Sequence, residues 1–185
     1  YSRATLNIND KNYKIKLRLK GDRVIHWYDK ENSSYKIDVR DGDTIWGMEE
    51  FSVQKPITRN YIYEFIFHKL LSYSNLISLK YFFINLSMND TAQGIYAVEE
   101  GFSKELIERN KKRNGPIFGL EEDKGTVFPF VRHDLYSSQY WISNYPDLTS
   151  TALSKLNLLK DSEIQLNEIF DLEKWATFFA IIDLT

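Results

Sequence analysis

The chain has 185 residues, of which 43% are hydrophobic and 15% aromatic, enough for one packed domain or for one lobe and part of another. Its formal net charge of −2 excludes a general electrostatic attraction to nucleic acid or to an anionic membrane surface. The absence of cysteine excludes thiol catalysis, cysteine-ligated zinc and disulfide bonds. No apolar run approaches the ~20 residues that span a bilayer.

The C-terminal end of the sequence is apolar. The chain begins without methionine and stops inside an apolar helical pattern, so we expect it to be part of a longer protein. Four residues near the end, Phe178, Phe179, Ile181 and Ile182, predict an apolar helix face. Burial of each such side chain stabilises a protein by about 1.5–3 kcal/mol. If this face is uncovered, we expect self-association through the C-terminal helix.

Alternating apolar and polar residues predict strands in the first part of the chain. The alternation covers residues 4–9 and 13–20. Further strands are expected at 23–28 and 34–40, and the segment Asp41-Gly42-Asp43 is a turn signal. The sequence therefore predicts an antiparallel sheet in this region.

A helix and a hairpin are expected next. Pro56 and Thr58 open the predicted helix, with Thr58 as its N-cap, and apolar side chains recur at helical spacing over 59–73. Two apolar runs at 77–87 and 94–99 then flank a polar segment, which predicts a β-hairpin. Together these elements indicate an α+β fold, an antiparallel sheet with one long helix packed against it.

The remainder of the sequence predicts helices with one interruption. A short charged helix is expected at 102–113, with Ser103 as its cap. From about 119 to 150 the periodicity fades, and we expect an irregular insertion, either a recognition loop or a surface segment packed by its own aromatic residues. Helical patterns return at 149–160 and at 162–184.

Two charged residues are candidates for a strand-to-helix ion pair. Lys36 lies in a predicted strand between Tyr35 and Ile37, and so on the opposite face. It is either a phosphate-contacting lysine or an ordinary outward-facing strand lysine. Glu64, on the predicted long helix, is either exposed to solvent or held by a buried cation. The functional interpretation pairs Glu64 with Lys36, and Arg59 is then a second cation in the same network.

The acidic end of the predicted hairpin is a candidate hinge. Glu99 and Glu100 are adjacent in a strand and point to opposite faces, so they do not form a general acid/base pair on one substrate atom. The functional interpretation is a backbone at 97–101, ending at Gly101, that meets a nucleotide base while one carboxylate contacts ribose or a lysine. The alternative is a pair of acids at a helix N-terminus, favoured by the helix dipole.

Metal and phosphate-loop motifs are missing from the sequence. The three histidines, His26, His68 and His133, have no pairwise metal-ligand spacing, and we interpret each as structural. No glycine-rich phosphate loop of the Walker or Rossmann type is present.

An ordered set of six motifs resembles one known family. The motifs are Arg18-Leu19-Lys20-Gly21, Ser34-Tyr35-Lys36-Ile37, Ile45-Trp46-Gly47-Met48, Pro56-Ile57-Thr58-Arg59-Asn60 followed by Glu64, Gly94-Ile95-Tyr96-Ala97-Val98-Glu99-Glu100, and Glu108-Arg109-Asn110-Lys111-Lys112-Arg113-Asn114-Gly115-Pro116-Ile117. In this order they resemble the CotH kinase family, named for a spore-coat protein and related to atypical kinases. The resemblance covers residues 14–123 and resumes loosely at 168–185.

The resemblance implies a protein-kinase-like fold and an ATP-dependent phosphotransferase. The small lobe and hinge would occupy 1–101, and 102–185 would begin the helical large lobe. The parent protein would transfer phosphoryl from ATP to protein Ser/Thr hydroxyls with Mg or Mn, on exported or cell-surface proteins. Lys36 would contact phosphates, with Glu64 as its helical partner and Glu99–Gly101 as the nucleotide-binding hinge.

The same resemblance places the catalytic loop and the metal ligands beyond the helix at 170–184. No metal ligand is therefore expected within these residues, and we expect them to be inactive alone, because phosphoryl transfer needs metal-held phosphates and a residue that orients the hydroxyl. Two other functions are open. The first is a non-catalytic, pseudokinase-like binding module that presents the 119–150 segment to a partner. The second is a kinase for a small-molecule or polysaccharide acceptor.

Overall fold

The structure is a computed structural model. It describes residues 1–21, 26, 33–122 and 131–185, with the side chains of 120–122, 131–134 and 160 left out. The predicted strand at 23–28 lies outside the described residues except for His26. The chain divides into two compact units, Tyr1–Lys112 with Ala180–Thr185, and Arg113–Phe179. This division places the end of the first unit after Lys112, beyond the boundary that the sequence suggested at residue 101.

The first unit is built on a curled antiparallel sheet of six strands. The strands are β1 (Ser2–Ile8), β2 (Lys11–Leu19), β3 (Tyr35–Val39), β4 (Glu50–Gln54), β5 (Tyr81–Met88) and β6 (Thr91–Glu100). Their order in the sheet is β1-β2-β3-β4-β6-β5, and every neighbouring pair is antiparallel. The predicted α+β class is confirmed, and so are the strands expected around β1, β2 and β3.

Two hairpins of this sheet close through tight turns of the same sequence. Asn9 and Asp10 join β1 to β2 with φ angles of 49° and 63°. Asn89 and Asp90 join β5 to β6 with φ angles of 49° and 61°. Two consecutive residues at positive φ are typical of a type I′ turn, which matches the twist of the strands. The turn is therefore shorter than the polar segment predicted from the sequence, and most of that segment belongs to β6.

One face of the sheet carries the hydrophobic core. Its buried members are Ile15, Ile37, Ile45, Met48, Phe51, Val53, Tyr96 and Val98. Ile45 and Met48 come from the connection between β3 and β4, where each backbone N–H donates to the other's carbonyl at 3.0 Å. Because side chains alternate between faces along a strand, the residues between these core positions project to the opposite face.

The long helix starts later than predicted. Pro56–Arg59 is a separate 3₁₀ helix, and the α-helix, α1, spans Tyr63–Tyr73. The hydroxyl of Thr58 donates to the carbonyl of Lys55 at 2.7 Å, so Thr58 does not cap α1. The chain turns at Asn60, whose φ of 50° is left-handed and ends the first helical segment.

A second short helix completes the first unit. Helix α2 spans Lys104–Arg109, which is shorter than the predicted 102–113. Ser103 occupies the N-cap position, but its side chain makes no capping hydrogen bond. The predicted helix is thus confirmed in type, and the predicted side-chain cap is wrong.

The second unit contains a hairpin and helices. Its elements are β7 (Phe118–Glu122), β8 (Val131–Leu135), α3 (Ser138–Asn144), α4 (Pro146–Lys160), a 3₁₀ turn (Leu166–Glu168) and α5 (Leu172–Leu184), whose last residues belong to the first unit. Most described residues of 119–150 are therefore regular, contrary to the expected irregular insertion. Five-residue strands and a helix built from Ser, Gln, Tyr and Trp give little periodicity to detect.

Aromatic side chains pack on one another in α3 and at its C-terminal end. Trp141 is buried, and its ring centroid lies 5.4 Å from that of Tyr140 and 5.3 Å from that of Tyr145. The hydroxyl of Thr149 donates to the Trp141 carbonyl at 3.2 Å, which ties the start of α4 to α3. Of the two interpretations of this stretch, these contacts match a segment packed by its own aromatic residues.

Candidate functional site

A row of polar side chains crosses the sheet on the face opposite the core. The strand register places Arg18 beside Lys36, Lys36 beside Ser52, Ser52 beside Glu99, and Glu99 beside Tyr81. Directly paired residues of antiparallel strands share a face. Since adjacent strands lie about 4.8 Å apart, Lys36 and Glu99 are separated by roughly 10 Å of backbone. The row therefore brings polar side chains from five strands to one surface, and three of them, Arg18, Lys36 and Glu99, are charged.

Helix α1 packs on the same face. The ring of Phe65 lies 5.9 Å from that of Phe83, which follows Tyr81 by two positions in β5 and so shares its face. The imidazole of His68 stacks on Tyr81 at 5.9 Å between ring centroids. These contacts bring Glu64, one turn before His68 on α1, to the edge of the polar row.

Glu99 is the centre of the site. One carboxylate oxygen accepts a hydrogen bond from the Lys20 ammonium at 3.0 Å. The other accepts from the Gln54 amide at 2.5 Å and lies 3.8 Å from the Arg59 guanidinium. The Lys20 and Glu99 side chains are 19% and 14% exposed, so the ion pair is largely shielded from water. We call Lys20, Gln54, Arg59 and Glu99 the polar cluster.

The chain geometry after β2 positions Lys20. The backbone N–H of Lys20 donates to the Ser34 carbonyl at 2.8 Å, which fixes the end of β2 against the start of β3. Gly21 follows with φ of 97°, a conformation that favours glycine. A Cβ at this position would lie 2.3 Å from the His26 ring, so any other side chain here would collide with His26.

Burial and neighbouring charges set the ionisation of the site. Burial lowers the pKa of Lys20, and the Glu99 carboxylate partly offsets this effect. The hydrogen bond from His68 holds the pKa of Glu64 below its ordinary value, with a smaller contribution from Arg59. Burial raises the pKa of Tyr81 to about 12, against a lowering effect of Gln54. At neutral pH the site therefore contains an ionised Glu64 and a neutral Tyr81.

Lys36 has a different partner from the one predicted. Its ammonium lies 2.7 Å from a carboxylate oxygen of Glu50 on β4, while Glu64 lies 3.3 Å from His68. The predicted ion pair between Lys36 and Glu64 is therefore not formed. The reason is the register. Glu50 pairs directly with Asp38, which shares the face of Lys36 two positions earlier in β3, so Glu50 reaches Lys36 on that face. Helix α1 instead places Glu64 near Arg59 and Lys20.

The two acids at the end of β6 have separate roles. Glu99 faces the polar cluster, and Glu100 is buried on the other side, as the alternation predicts. The Glu100 carboxylate accepts the Lys80 N–H at 2.7 Å and pairs with Arg109. Its described contacts thus hold the start of β5, the end of β6 and α2 together, and the nucleotide contact expected of Glu100 stays a prediction.

Gly101 connects the end of β6 to Glu50, the ion-pair partner of Lys36. Its N–H donates to the Glu50 carbonyl at 3.0 Å. A Cβ on Gly101 would lie 2.9 Å from that carbonyl oxygen and 2.8 Å from the Glu50 carboxylate. A side chain at this position would therefore disturb the residue that holds Lys36.

Sequence reasoning missed three members of this site. Lys20 lies in the motif Arg18-Leu19-Lys20-Gly21, but this motif does not indicate which residue pairs with Lys20. Gln54 and Tyr81 reach Glu99 only through the pairing of β4, β6 and β5, a register that the local sequence does not encode. Arg59 lies in the same network as Glu64, as expected.

The described residues offer no ready metal centre. Among them, no group of three or more His, Asp or Glu residues is placed to hold a metal ion. His26 pairs with Ser34 at 3.0 Å and His68 with Glu64, while the His133 side chain lies outside the described part.

No described helix is both long and apolar enough to cross a membrane. Comparison with protein-family models and with curated proteins gives no match.

Proposed function

We propose that this chain forms the nucleotide-binding part of a CotH-like atypical kinase, which transfers phosphoryl from ATP to Ser/Thr hydroxyls of proteins. The observation that carries the proposal is the polar cluster, in which two cations converge on Glu99 on the sheet face that also carries Lys36 and α1. The family resemblance of the ordered motifs supports the same conclusion.

The arrangement suits the binding of phosphates. Kinase sites stabilise phosphate charge with a lysine whose orientation is set by a carboxylate. Here Glu99 orients Lys20 and Glu50 orients Lys36, so the two ammonium groups are held on one face without being free to rotate away. Arg59 adds a guanidinium, which can donate two parallel hydrogen bonds to a phosphate.

The end of β6 suits the base of a nucleotide. The chain leaves the sheet at Gly101, two residues after Glu99, so an adenine edge at this point would lie near the polar cluster. In the proposed arrangement Glu99 is the acid that faces the ligand, while Glu100 keeps the end of β6 attached to α2 through Arg109.

Mg or Mn would neutralise charge on the transferred phosphoryl group when bound. The described residues do not offer a ligand set for such an ion, so the proposal assigns metal binding to none of them. The residues of this chain are assigned only the binding and orientation of the nucleotide.

Calorimetric titration of the chain with ATP, with and without Mg²⁺, tests the proposal. We expect Lys20→Met and Lys36→Met each to weaken ATP binding about tenfold, since a charged hydrogen bond to phosphate is worth roughly 1.5–3 kcal/mol. Lys11→Met is the matched control, because Lys11 lies on β2 but shares the face of Tyr13, and pairs with the exposed Asp43.

Two results would contradict the proposal. One is the absence of ATP binding by the unaltered chain, which would favour a kinase-shaped binding module. The other is ATP binding that Lys11→Met weakens as much as the two variants in the site, which would indicate non-specific attraction of an anion to surface lysines.

A further inference from the structure

A second concave surface lies beside the polar cluster, between α1 and the start of β5. It encloses about 290 Å³, near the small end of the size range of ligand pockets. Its charged lining residues are Lys69, Lys80 and Arg109, and no Asp or Glu lines it. We call it the basic groove. Its lining is positive, whereas the chain as a whole has a net charge of −2.

The two lysines of the basic groove lack carboxylate partners among the described residues. The Lys69 ammonium lies over the Phe65 ring at 5.3 Å from its centroid. The Lys80 ammonium donates to the backbone carbonyl of Trp46 at 2.5 Å. Neither contact neutralises the positive charge. An anion in the groove would therefore gain two charge-assisted contacts without displacing an existing ion pair.

Arg109 adds a donor that is already held in place. Its Nε and Nη2 are engaged by Glu100, and Nη2 also donates to the Ser78 carbonyl at 2.6 Å. These contacts fix the guanidinium plane at the groove, and no contact with the described residues uses the two N–H groups of Nη1, which can donate to a ligand. A fixed guanidinium loses little side-chain entropy on binding a phosphate.

The largest uncharged side chains of the lining are aromatic. Phe65, Tyr81 and Phe82 contribute to the wall of the groove, and the smaller Ser72, Ser78 and Leu79 complete it with His68. A ligand that combines an anionic group with a small, flat apolar group matches this lining. We infer that the basic groove binds a phosphate monoester carried by a small aromatic group, with Lys69, Lys80 and Arg109 around the phosphate.

This inference does not depend on the nucleotide-binding proposal. The groove shares Tyr81 and His68 with the surroundings of the polar cluster, but its cations are different from Lys20, Lys36 and Arg59. Variants in the two sets therefore distinguish the two sites.

Calorimetric titration of the chain with phenyl phosphate tests the inference. We expect Lys69→Gln and Lys80→Gln each to weaken binding about tenfold, and Lys36→Gln to change it less than about twofold. Lys69→Gln is the safer variant for folding, because the Lys69 side chain is exposed and its described contact is the Phe65 ring. Inorganic phosphate should bind more weakly than phenyl phosphate, and phenol should not bind detectably.

The NMR signals of the His68 ring give a second readout. His68 lines the groove, so phenyl phosphate should shift its signals, which are identified by their loss in His68→Gln. Equal affinity for inorganic and phenyl phosphate would overturn the aromatic part of the inference. Absence of binding, an unmoved His68 signal, or a loss of binding caused by Lys36→Gln but not by Lys69→Gln would overturn the site itself.

Discussion

At the scale of single residues, Gly101 has a steric role that its sequence context does not reveal. Gly101→Ala would place a methyl group 2.9 Å from the Glu50 carbonyl oxygen, a backbone atom that cannot rotate away. We expect a loss of about 1–3 kcal/mol in the free energy of unfolding, measured by urea denaturation. Gly115→Ala is the control, because a Cβ there meets no atom within 4 Å. Equal stability of the two variants would contradict the crowding at Gly101.

The ion pair between Lys20 and Glu99 has a measurable coupling. Removal of the Glu99 charge leaves the largely buried Lys20 without its carboxylate, and removal of Lys20 leaves Glu99 with only Gln54 and the more distant Arg59, so either single change is more costly than removal of both. We expect Lys20→Met and Glu99→Gln to destabilise the chain separately, and the double variant to recover about 1–2 kcal/mol relative to their sum. A double-mutant cycle in chemical denaturation measures this coupling. A coupling near zero would mean that the pair is not formed in solution.

Glu64 makes the stability depend on pH in the acidic range. Because its folded-state pKa lies below the ordinary value of 4.5, its stabilising effect is complete above that pH. The effect is lost as the pH falls through the folded-state pKa, where the native carboxylate is protonated. We therefore expect Glu64→Gln to flatten the decrease of stability below pH 4.5, as measured by denaturation at a series of pH values.

Asp41→Asn is the comparison for this measurement. The pKa of Asp41 is also lowered, by the hydrogen bond from Lys14, but that pair is exposed. About 1 M salt should therefore remove the effect of Asp41 and leave much of the effect of Glu64. Identical behaviour of the two variants in high salt would contradict the shielding of Glu64.

At the scale of elements, the two type I′ turns are not optimal in sequence. Asp90 has a φ of 61°, where glycine has no steric penalty, and Asn-Gly is the preferred pair in this turn. We expect Asp90→Gly to stabilise the hairpin of β5 and β6 by about 0.5–1 kcal/mol. Thermal denaturation measures the gain. Asp10→Gly should likewise stabilise the hairpin of β1 and β2. A loss of stability in both variants would show that these turns are not of type I′.

The elements also show what the sequence can and cannot predict. Strict alternation predicted β1 and β2, since it reflects one buried face, and left-handed Asn and Asp residues explain the turns. The start of α1 was predicted too early, because Pro56 and Thr58 begin a separate 3₁₀ segment. The pairing of β4 with β6 brings Gln54 to Glu99, and this long-range register cannot be read from local patterns. For the same reason the sequence identified Glu99, Arg59 and Glu64 as candidates but selected the wrong partner for Lys36.

At the scale of the whole molecule, the C-terminal helix exposes apolar side chains. Phe179 and Ile182 are 49% and 43% exposed, while Ile181 is buried. We expect the chain to self-associate with rising concentration, and Phe179→Ser with Ile182→Ser to shift it toward monomer in sedimentation velocity. Ile95→Ser, at an exposed position on β6, is the control. A chain that remains monomeric at high concentration would contradict this prediction.

The proposed nucleotide site lies on the face of the sheet around Glu99. An ATP derivative with an acyl phosphate at its end probes this face, because it acylates a lysine that lies near the bound phosphates, and mass spectrometry identifies that lysine. We predict labelling of Lys20 or Lys36, suppressed by an excess of ATP. Labelling spread over exposed lysines such as Lys11, Lys14 and Lys174, and unchanged by ATP, would contradict the account.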